Sequence, residues 1–455
     1  MKSLLDKVNA KLNAQGGFLK SISMLIGGTA FAHAITVLAL PFITRLYTPE
    51  DFSQLAIYTS LLGIFSVVAC LRYEIAIPLP ESDTEADSLL VISIINSTLF
   101  AIFLTLVLNL FSISVENALG NNYFPEILWL LPLGVWAASL YSAFKFWSTR
   151  VKDFKNIAQT KIQQSTSSVV TQLGLGYWGY TSVGLLLGQF LYNSAGVFSL
   201  IKKRIKYKKI SFNNKNILKT YSAYNYFPKY SVGEALFNSA GVHLPILFIA
   251  AIAESKEAGY LLLASKIMII PMVLIGASVS QVYYAHANEA KNENRLSEFT
   301  QECMVKLAKI GIAPILFVGM VAPVFFPLFF GHEWERAGIL VAWMTPWFIL
   351  QFIVSPVSMS LHVISQQKLA LVMQLIGLLL KLSLVGVAVT FYQDKTSELY
   401  AISGFIFYLL YFLLIYKILK IKSVFNIFFN KNIFFSIVIV VIGALILNEV
   451  VYGLL

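Results

Sequence analysis

Long apolar runs recur from one end of this chain to the other, and they constrain its fold more than any other feature. A run of about 18 apolar residues can cross the roughly 30 Å hydrocarbon layer as a helix. Along the 455 residues, candidate spans fall at 21–43, 53–72, 88–110, 127–147, 160–180, 182–201, 230–252, 257–281, 304–330, 338–362, 368–392, 398–416 and 433–454. The segment 160–180 is the most polar of them, and 433–454 breaks an otherwise even count. Hydrophobic residues make up 57% of the chain and charged residues only 13%, about half the usual globular share. A water-soluble protein of this length needs more polar surface. A membrane β-barrel needs short alternating segments instead, and none is visible. The expected fold class is therefore all-α: a polytopic membrane protein with twelve core transmembrane helices in two six-helix bundles and an extra C-terminal helix.

No signal-peptide cleavage pattern follows the first apolar run, so that run is expected to be retained as the first span. Cys70 and Cys303 lie far apart, with no metal-ligand spacing and no disulfide framework. No metal or cofactor is expected. Basic residues set the orientation. With the N-terminus cytoplasmic, 28 of the 34 Lys and Arg fall on the cytoplasmic side. Only Arg45, Lys256, Arg336 and Lys395 fall outside, and Lys266 and Lys381 lie within spans. The net charge of +11 is thus a topology signal and an attraction to anionic membrane lipid, not a nucleic-acid footprint.

The clause TRLYTPEDF at 44–52 becomes an outer hairpin between antiparallel helices. Thr48 suits an N-cap, Pro49 a first helical turn, and Glu50 and Asp51 favour the positive helix start. TPEDFSQLAIYTSL aligns with ESKEAGYLLLASKI at 254–267, and each follows a span with a proline near its outer end, Pro41 and Pro245. Six spans precede the basic segment and at least six follow, as in a parallel repeat whose substrate site lies between halves. The expected domains are 1–201 as the N-terminal bundle, 202–229 as a basic cytoplasmic linker, 230–418 as the C-terminal bundle, and 419–455 as a basic segment with the thirteenth helix.

GTAFAHAITVLALPFITRLYTPEDFSQLAIYTSL, SVVACLRYEIAIPLP, YFPKYSVGEALFNSAGVHLPILFIA and IPMVLIGASVSQVYYAHANEA together resemble bacterial polysaccharide flippases. These are the O-antigen and exopolysaccharide repeat-unit exporters of the multidrug, oligosaccharidyl-lipid and polysaccharide exporter superfamily. The resemblance covers residues 20 to about 420. It implies a V-shaped pair of six-helix bundles and alternating access in the bacterial inner membrane. The implied cargo is an oligosaccharide on undecaprenyl pyrophosphate, moved from the cytoplasmic to the periplasmic leaflet. A repeat-unit polymerase and a chain-length regulator are the expected partners. The family pattern has twelve spans, so the thirteenth is a departure.

Ionisable groups inside spans are costly and usually face a wet cavity or a partner. Gln367, Gln374 and Lys381 recur every seven residues on one face with Gly377. That stripe, with Lys266, suits a cationic lining for a pyrophosphate headgroup; the alternative is a buried Lys381 paired with Glu234 or a main-chain carbonyl. Tyr230, Glu234, Asn238, Gly241 and Pro245 share one face. Glu234 either couples transport to H+ or Na+ or neutralises a lysine. His33 either titrates or is a hydrogen-bonded fixture. Gln351, Ser355, Ser358 and His362 suit sugar hydrogen bonding, with Trp343 and Trp347 as stacking surfaces or interface anchors. Gln164, Ser168, Thr171 and Gln172 face a bundle interior or a cavity. Arg72 and Glu74 in LRYEIA, and Arg45 and Asp51 at the outer hairpin, are gate candidates, with Arg72 also placed to meet the pyrophosphate; interfacial anchoring competes for all four. GLGYWG at 174–179 closes a span with no strand before it, so it is no dinucleotide site. Gly184 and Gly188 read as close helix packing.

Two rivals use the same residues. A multidrug or metabolite cation antiporter of this fold needs an acidic cavity, against which Lys266 and Lys381 argue. An integral-membrane polysaccharide polymerase needs a sizeable outer loop with catalytic residues. The longest outer loop, FSISVENALGNNYFPE at 111–126, is short and poor in paired acids. There is no P-loop. The expected function is facilitated or ion-coupled flipping without covalent chemistry, and the protein is not expected to be an enzyme.

Overall fold

The computed structural model describes residues 18–112, 124–207, 214–253, 256–364, 366–421, 423 and 431–452, and among them there is no strand. The expected outer loop at 111–126 lies mostly outside the described residues. In chain order the helices are α1 (Phe18–Leu46), α2 (Pro49–Val68), α3 (Asp83–Leu110), α4 (Phe124–Arg150), α5 (Phe154–Tyr177), α6 (Thr181–Ser194), α7 (Val197–Tyr207) and α8 (Asn214–Ala223). There follow α9 (Val232–Ile252), α10 (Glu257–Met268), α11 (Ala277–Asn292), α12 (Leu296–Phe330) and α13 (Glu335–Val354). The short α14 (Ser360–Val363) leads to α15 (Gln367–Phe391), α16 (Thr396–Leu419) and α17 (Lys431–Tyr452).

Ten helical stretches among the described residues are long and apolar enough to cross a membrane. They account for ten of the thirteen expected spans. The other three also lie on helices: 127–147 on α4, 160–180 mostly on α5, and 257–281 on α10 and α11. α5 buries Gln164, Ser168 and Gln172, which lowers its apolarity. The expected span 257–281 is divided, because α10 stops at Met268 and a π-helical turn, Met272–Gly276, precedes α11. The all-helical, multi-pass character of the chain is clear, and ten of the thirteen expected spans meet the length and apolarity measure among the described residues.

The chain forms two compact units: residues 1–46 with 58–239, and residues 47–57 with 240–455. Of the three boundaries in the chain, 46/47 follows α1, and the other two fall inside helices, α2 and α9. In the first unit α1 packs on α5, α5 on α6, α3 on α4, and α4 on α6 and α7. The described part of the basic segment 202–229 belongs to this unit, where α8 packs on α3. Its Arg204 is 1% exposed and pairs with Asp87 of α3, itself 4% exposed. The guanidinium also lies 4.7 Å from the centre of the Trp147 ring. Gly28 admits α5: a Cβ there would stand 2.7 Å from that of Ala158. Gly188 does the same for α6, where a Cβ would collide with Gln172.

In the second unit α12 packs on α13 and α17, α13 on α10 and α16, and α15 on α16. The extra C-terminal helix is therefore part of this unit. Asn448 Nδ2 on α17 donates to the Met320 carbonyl at 3.2 Å. The start of α2 is capped as its sequence dictates. The Thr48 hydroxyl accepts the Asp51 N–H at 3.3 Å, and Asp51 Oδ2 accepts the Thr48 N–H at 2.9 Å, a reciprocal capping box. Glu50 then pairs with Lys256 at 3.0 Å, and Phe52 meets Trp334 edge-on at 4.7 Å. Gly259 of α10 faces the Pro49 carbonyl, and a Cβ there would collide with that oxygen. A Gly259→Val variant is expected to lose about 1–3 kcal/mol through overpacking, read as a lowered unfolding midpoint in detergent. An unchanged midpoint would show that the start of α2 does not depend on this contact.

Candidate functional site

The second unit carries the most unusual ionisable group. Lys381 lies midway along α15 and is 8% exposed. Its ammonium donates to the Gly241 carbonyl of α9 at 3.2 Å. It also lies 5.4 Å from the Trp347 ring centre, 6.0 Å from that of Tyr400 and 5.7 Å from that of Phe407. Aromatic faces attract a cation through the ring quadrupole, more strongly when desolvated. Two helices, α13 and α16, supply the rings, and two glycines let them close. At Gly404 a side chain would collide with Trp347, and at Gly377 a Cβ would stand 2.6 Å from Phe407. Among the described residues no carboxylate forms an ion pair with Lys381. The main-chain carbonyl, one of the two partners weighed from sequence, is the one present; Glu234 is exposed on α9 in the first unit.

Lys266, on α10, is half-buried with its ammonium 5.8 Å from the Phe52 ring centre. It too has no ion pair among the described residues. Gln374 is half-buried on α15, one residue-heptad before Lys381. Gln351 is half-buried on α13, and its Oε1 accepts no hydrogen bond among the described residues. The side chains of Gln367 and His362, which completed the two polar stripes, lie outside the described residues. Trp347 is buried against Lys381 rather than presented to a sugar, whereas Trp343 is exposed.

The first unit gathers a second set of cations. α2 ends where Leu71 and Arg72 adopt positive φ, 51° and 63°, which costs an L-residue roughly 1–2 kcal/mol each. The turn Tyr73–Ala76 follows. Tyr73 is fully buried and donates its hydroxyl to the Tyr221 carbonyl at 3.0 Å, which ties the turn to α8. Glu74 is 4% exposed and pairs with Arg72 at 3.5 Å. Burial holds its carboxyl above the usual range, and the charges of Arg72 and Lys145 pull against that rise. A raised folded value means the folded protein holds this proton more tightly. The resulting stabilisation is complete below the unfolded value of 4.5 and is lost as pH rises through the folded one. A Glu74→Gln variant should therefore gain in thermal midpoint on the unsubstituted protein between about pH 5 and about pH 7.5. An equal difference at both pH values would contradict this.

Lys145 of α4 and Lys161 of α5 were counted from sequence only as cytoplasmic charges. Both are half-buried, with Lys145 over the Phe146 ring at 5.0 Å and Lys161 over the Tyr141 ring at 5.1 Å. The charge of Lys145 acts on Lys161, and that of Lys161 acts on His33. The sequence held the signal, since both lysines lie within the bounds of expected spans. His33 is half-buried on α1, the helix that packs on α5.

The remaining candidates are dispersed. Asn238 is exposed on the same part of α9 as Glu234. Arg45 is exposed in the last turn of α1, and Asp51 is buried in the cap of α2. One ionic cluster was missed altogether. Arg336 of α13 joins Glu257 of α10 at 2.9 Å and Glu398 of α16 at 2.7 Å. Nothing in the spacing of these three residues announces that junction. Among the described residues no group of three or more His, Cys, Asp or Glu is placed to hold a metal ion.

The helical arrangement is that of known membrane transporters. The lipid II flippase MurJ, in an inward closed conformation, superposes with a TM-score of 0.75 at 16% identity, over 94% of this chain and 97% of that one. An inward-facing MATE multidrug resistance transporter, described as a member of the MOP superfamily, gives 0.66 at 14% identity, over 86% and 96%. A transporter of that superfamily from Pyrococcus furiosus, described as having a binding pocket of reverse polarity, gives 0.55 at 14% identity, over 89% and 96%. At these identities the likeness establishes the fold. The family follows from the sequence: the model for polysaccharide biosynthesis proteins matches residues 42–338, and the chain belongs to that family. No curated protein matches it.

Proposed function

We propose that this protein is a flippase for undecaprenyl-pyrophosphate-linked oligosaccharide repeat units of an O-antigen or exopolysaccharide. It would move them from the cytoplasmic to the periplasmic leaflet of the bacterial inner membrane by alternating access. The family and the MurJ-like fold support a carrier of lipid-linked saccharide. The observation that carries the reading is the pair of lysines, Lys381 and Lys266, held within the second unit without a carboxylate partner among the described residues. Membrane interiors charge heavily for ions, so unneutralised ammonium groups there are best explained by an anionic cargo.

In this reading Lys381, Lys266 and Arg72 meet the diphosphate, joined by Lys145 and Lys161. Gln374, Asn238 and Gln351 hydrogen-bond the sugar. Glu234 and His33 couple the cycle to H+ or Na+, and Arg45, Asp51 and Glu74 serve the gates. The N-terminus is cytoplasmic, and a polymerase and a chain-length regulator act on the exported units. Collapsing a proton gradient should slow transport in vesicles; an unchanged rate would favour facilitated flipping without a coupling ion.

The cation antiporter is the rival to test, because MATE transporters share the fold. Undecaprenyl diphosphate added at 100 times its dissociation constant should stabilise the detergent-solubilised protein by about 2.7 kcal/mol. Ethidium, an organic cation, should leave the unfolding midpoint unchanged. Stabilisation by ethidium and not by the lipid would overturn the reading.

A further inference from the structure

Pro245 lies inside α9. A proline has no N–H, so the carbonyl four residues earlier loses its helical donor. That carbonyl belongs to Gly241. Within a membrane span no water replaces the missing donor, and an orphaned carbonyl is costly. The donor that reaches it is the Lys381 ammonium, from a different helix. The two helices lie close at this point: a Cβ on Gly241 would meet that of Leu378 on α15 in ordinary contact, at 3.9 Å. The rings of Trp347, Tyr400 and Phe407 hold the ammonium in place. α9 passes from the first unit to the second between Ser239 and Ala240. Just before that point, Ser239 Oγ donates to the Gly63 carbonyl of α2 at 2.9 Å within the first unit. The break filled by Lys381 therefore sits where the chain changes unit.

We propose that Lys381 latches the proline break of α9, and that an anionic headgroup and the Gly241 carbonyl compete for the same ammonium. This rests on the lipid-diphosphate reading above. A phosphate oxygen makes a shorter and stronger charge-assisted bond than a neutral carbonyl, and the four-carbon lysine stem lets the ammonium turn from one to the other. Once the ammonium leaves, the Gly241 carbonyl has no donor and α9 bends at a point where its ladder is already broken. Capture of cargo and release of the helix are then one event. Lys381 acts here as a positioning residue for α9 as well as a contact for the headgroup.

Two measurements test this. Pro245→Ala returns an N–H to the Gly241 carbonyl, so the latch becomes redundant. Lys381→Met is expected to lower the detergent unfolding midpoint in the unsubstituted protein, and the drop should be roughly halved in the Pro245→Ala background. Equal drops in both backgrounds would overturn the latch, whatever the cargo is. Next, hydrogen–deuterium exchange of residues 238–249 is followed with undecaprenyl diphosphate, and bound lipid is quantified in the same sample. Bound lipid should speed exchange in the unsubstituted protein and leave Pro245→Ala unchanged. Bound lipid without faster exchange overturns the competition. Absence of bound lipid refutes the cargo reading instead, and the midpoint comparison still decides the latch.

Discussion

Cells whose only copy of this protein carries Lys381→Met are expected to lose surface polysaccharide while the variant still accumulates in the membrane. One charge-assisted hydrogen bond to a phosphate contributes about 1.5–3 kcal/mol, which corresponds to a loss of roughly 10- to 100-fold in headgroup affinity. Methionine keeps the length and apolar bulk of the lysine stem, so the ring-lined space formed by Trp347, Tyr400 and Phe407 stays filled. A Lys381→Arg variant retains the charge and should keep part of the activity, limited by the larger guanidinium. Surface polysaccharide at the normal level in Lys381→Met, with normal amounts of protein, would remove this lysine from the transport path. Quantitative blotting beside sugar analysis reads both quantities in the same cells.

The second large effect is on stability. Removing Arg204 should destabilise the first unit by about 3–5 kcal/mol, the usual cost of leaving a buried charge without its partner. Asp87 is the stranded group, and Trp147 loses the cation on its face. Arg204→Met should thus give a much lower unfolding midpoint in detergent. Adding Asp87→Leu to that variant should restore most of the loss, because an apolar pair can replace a buried ion pair at little cost. If Arg204→Met alone melts with the unsubstituted protein, the pair contributes nothing. If the double variant is no better than the single, the loss comes from packing and not from the stranded carboxylate.

Features governed by local chemistry were legible before the structure. Apolar length marked ten spans that the helices reproduce. Thr48 and Asp51 announced a helix start, and the capping box is there. A lysine in mid-span singled out Lys381, because burying an ammonium is costly enough to demand a reason. Features that need three dimensions were not legible. The rings around Lys381 come from positions 347, 400 and 407, and no spacing rule joins them. Arg204 stood in a run of cations whose shared explanation was membrane topology, and that explanation hid its buried partner on α3. The change of winding within 257–281 was not legible for a different reason: hydropathy counts residues and does not see where a helix changes its winding. The role of Pro245 became visible only when Lys381 was found on the Gly241 carbonyl.

Purified protein in vesicles, supplied with a fluorescent undecaprenyl-diphosphate-linked oligosaccharide in one leaflet, tests the central claim most directly. The account predicts that the labelled headgroup reaches the opposite leaflet many times faster than in protein-free vesicles, with no accompanying flux of ethidium. Labelled lipid that crosses no faster than in empty vesicles, while ethidium is carried, would contradict it.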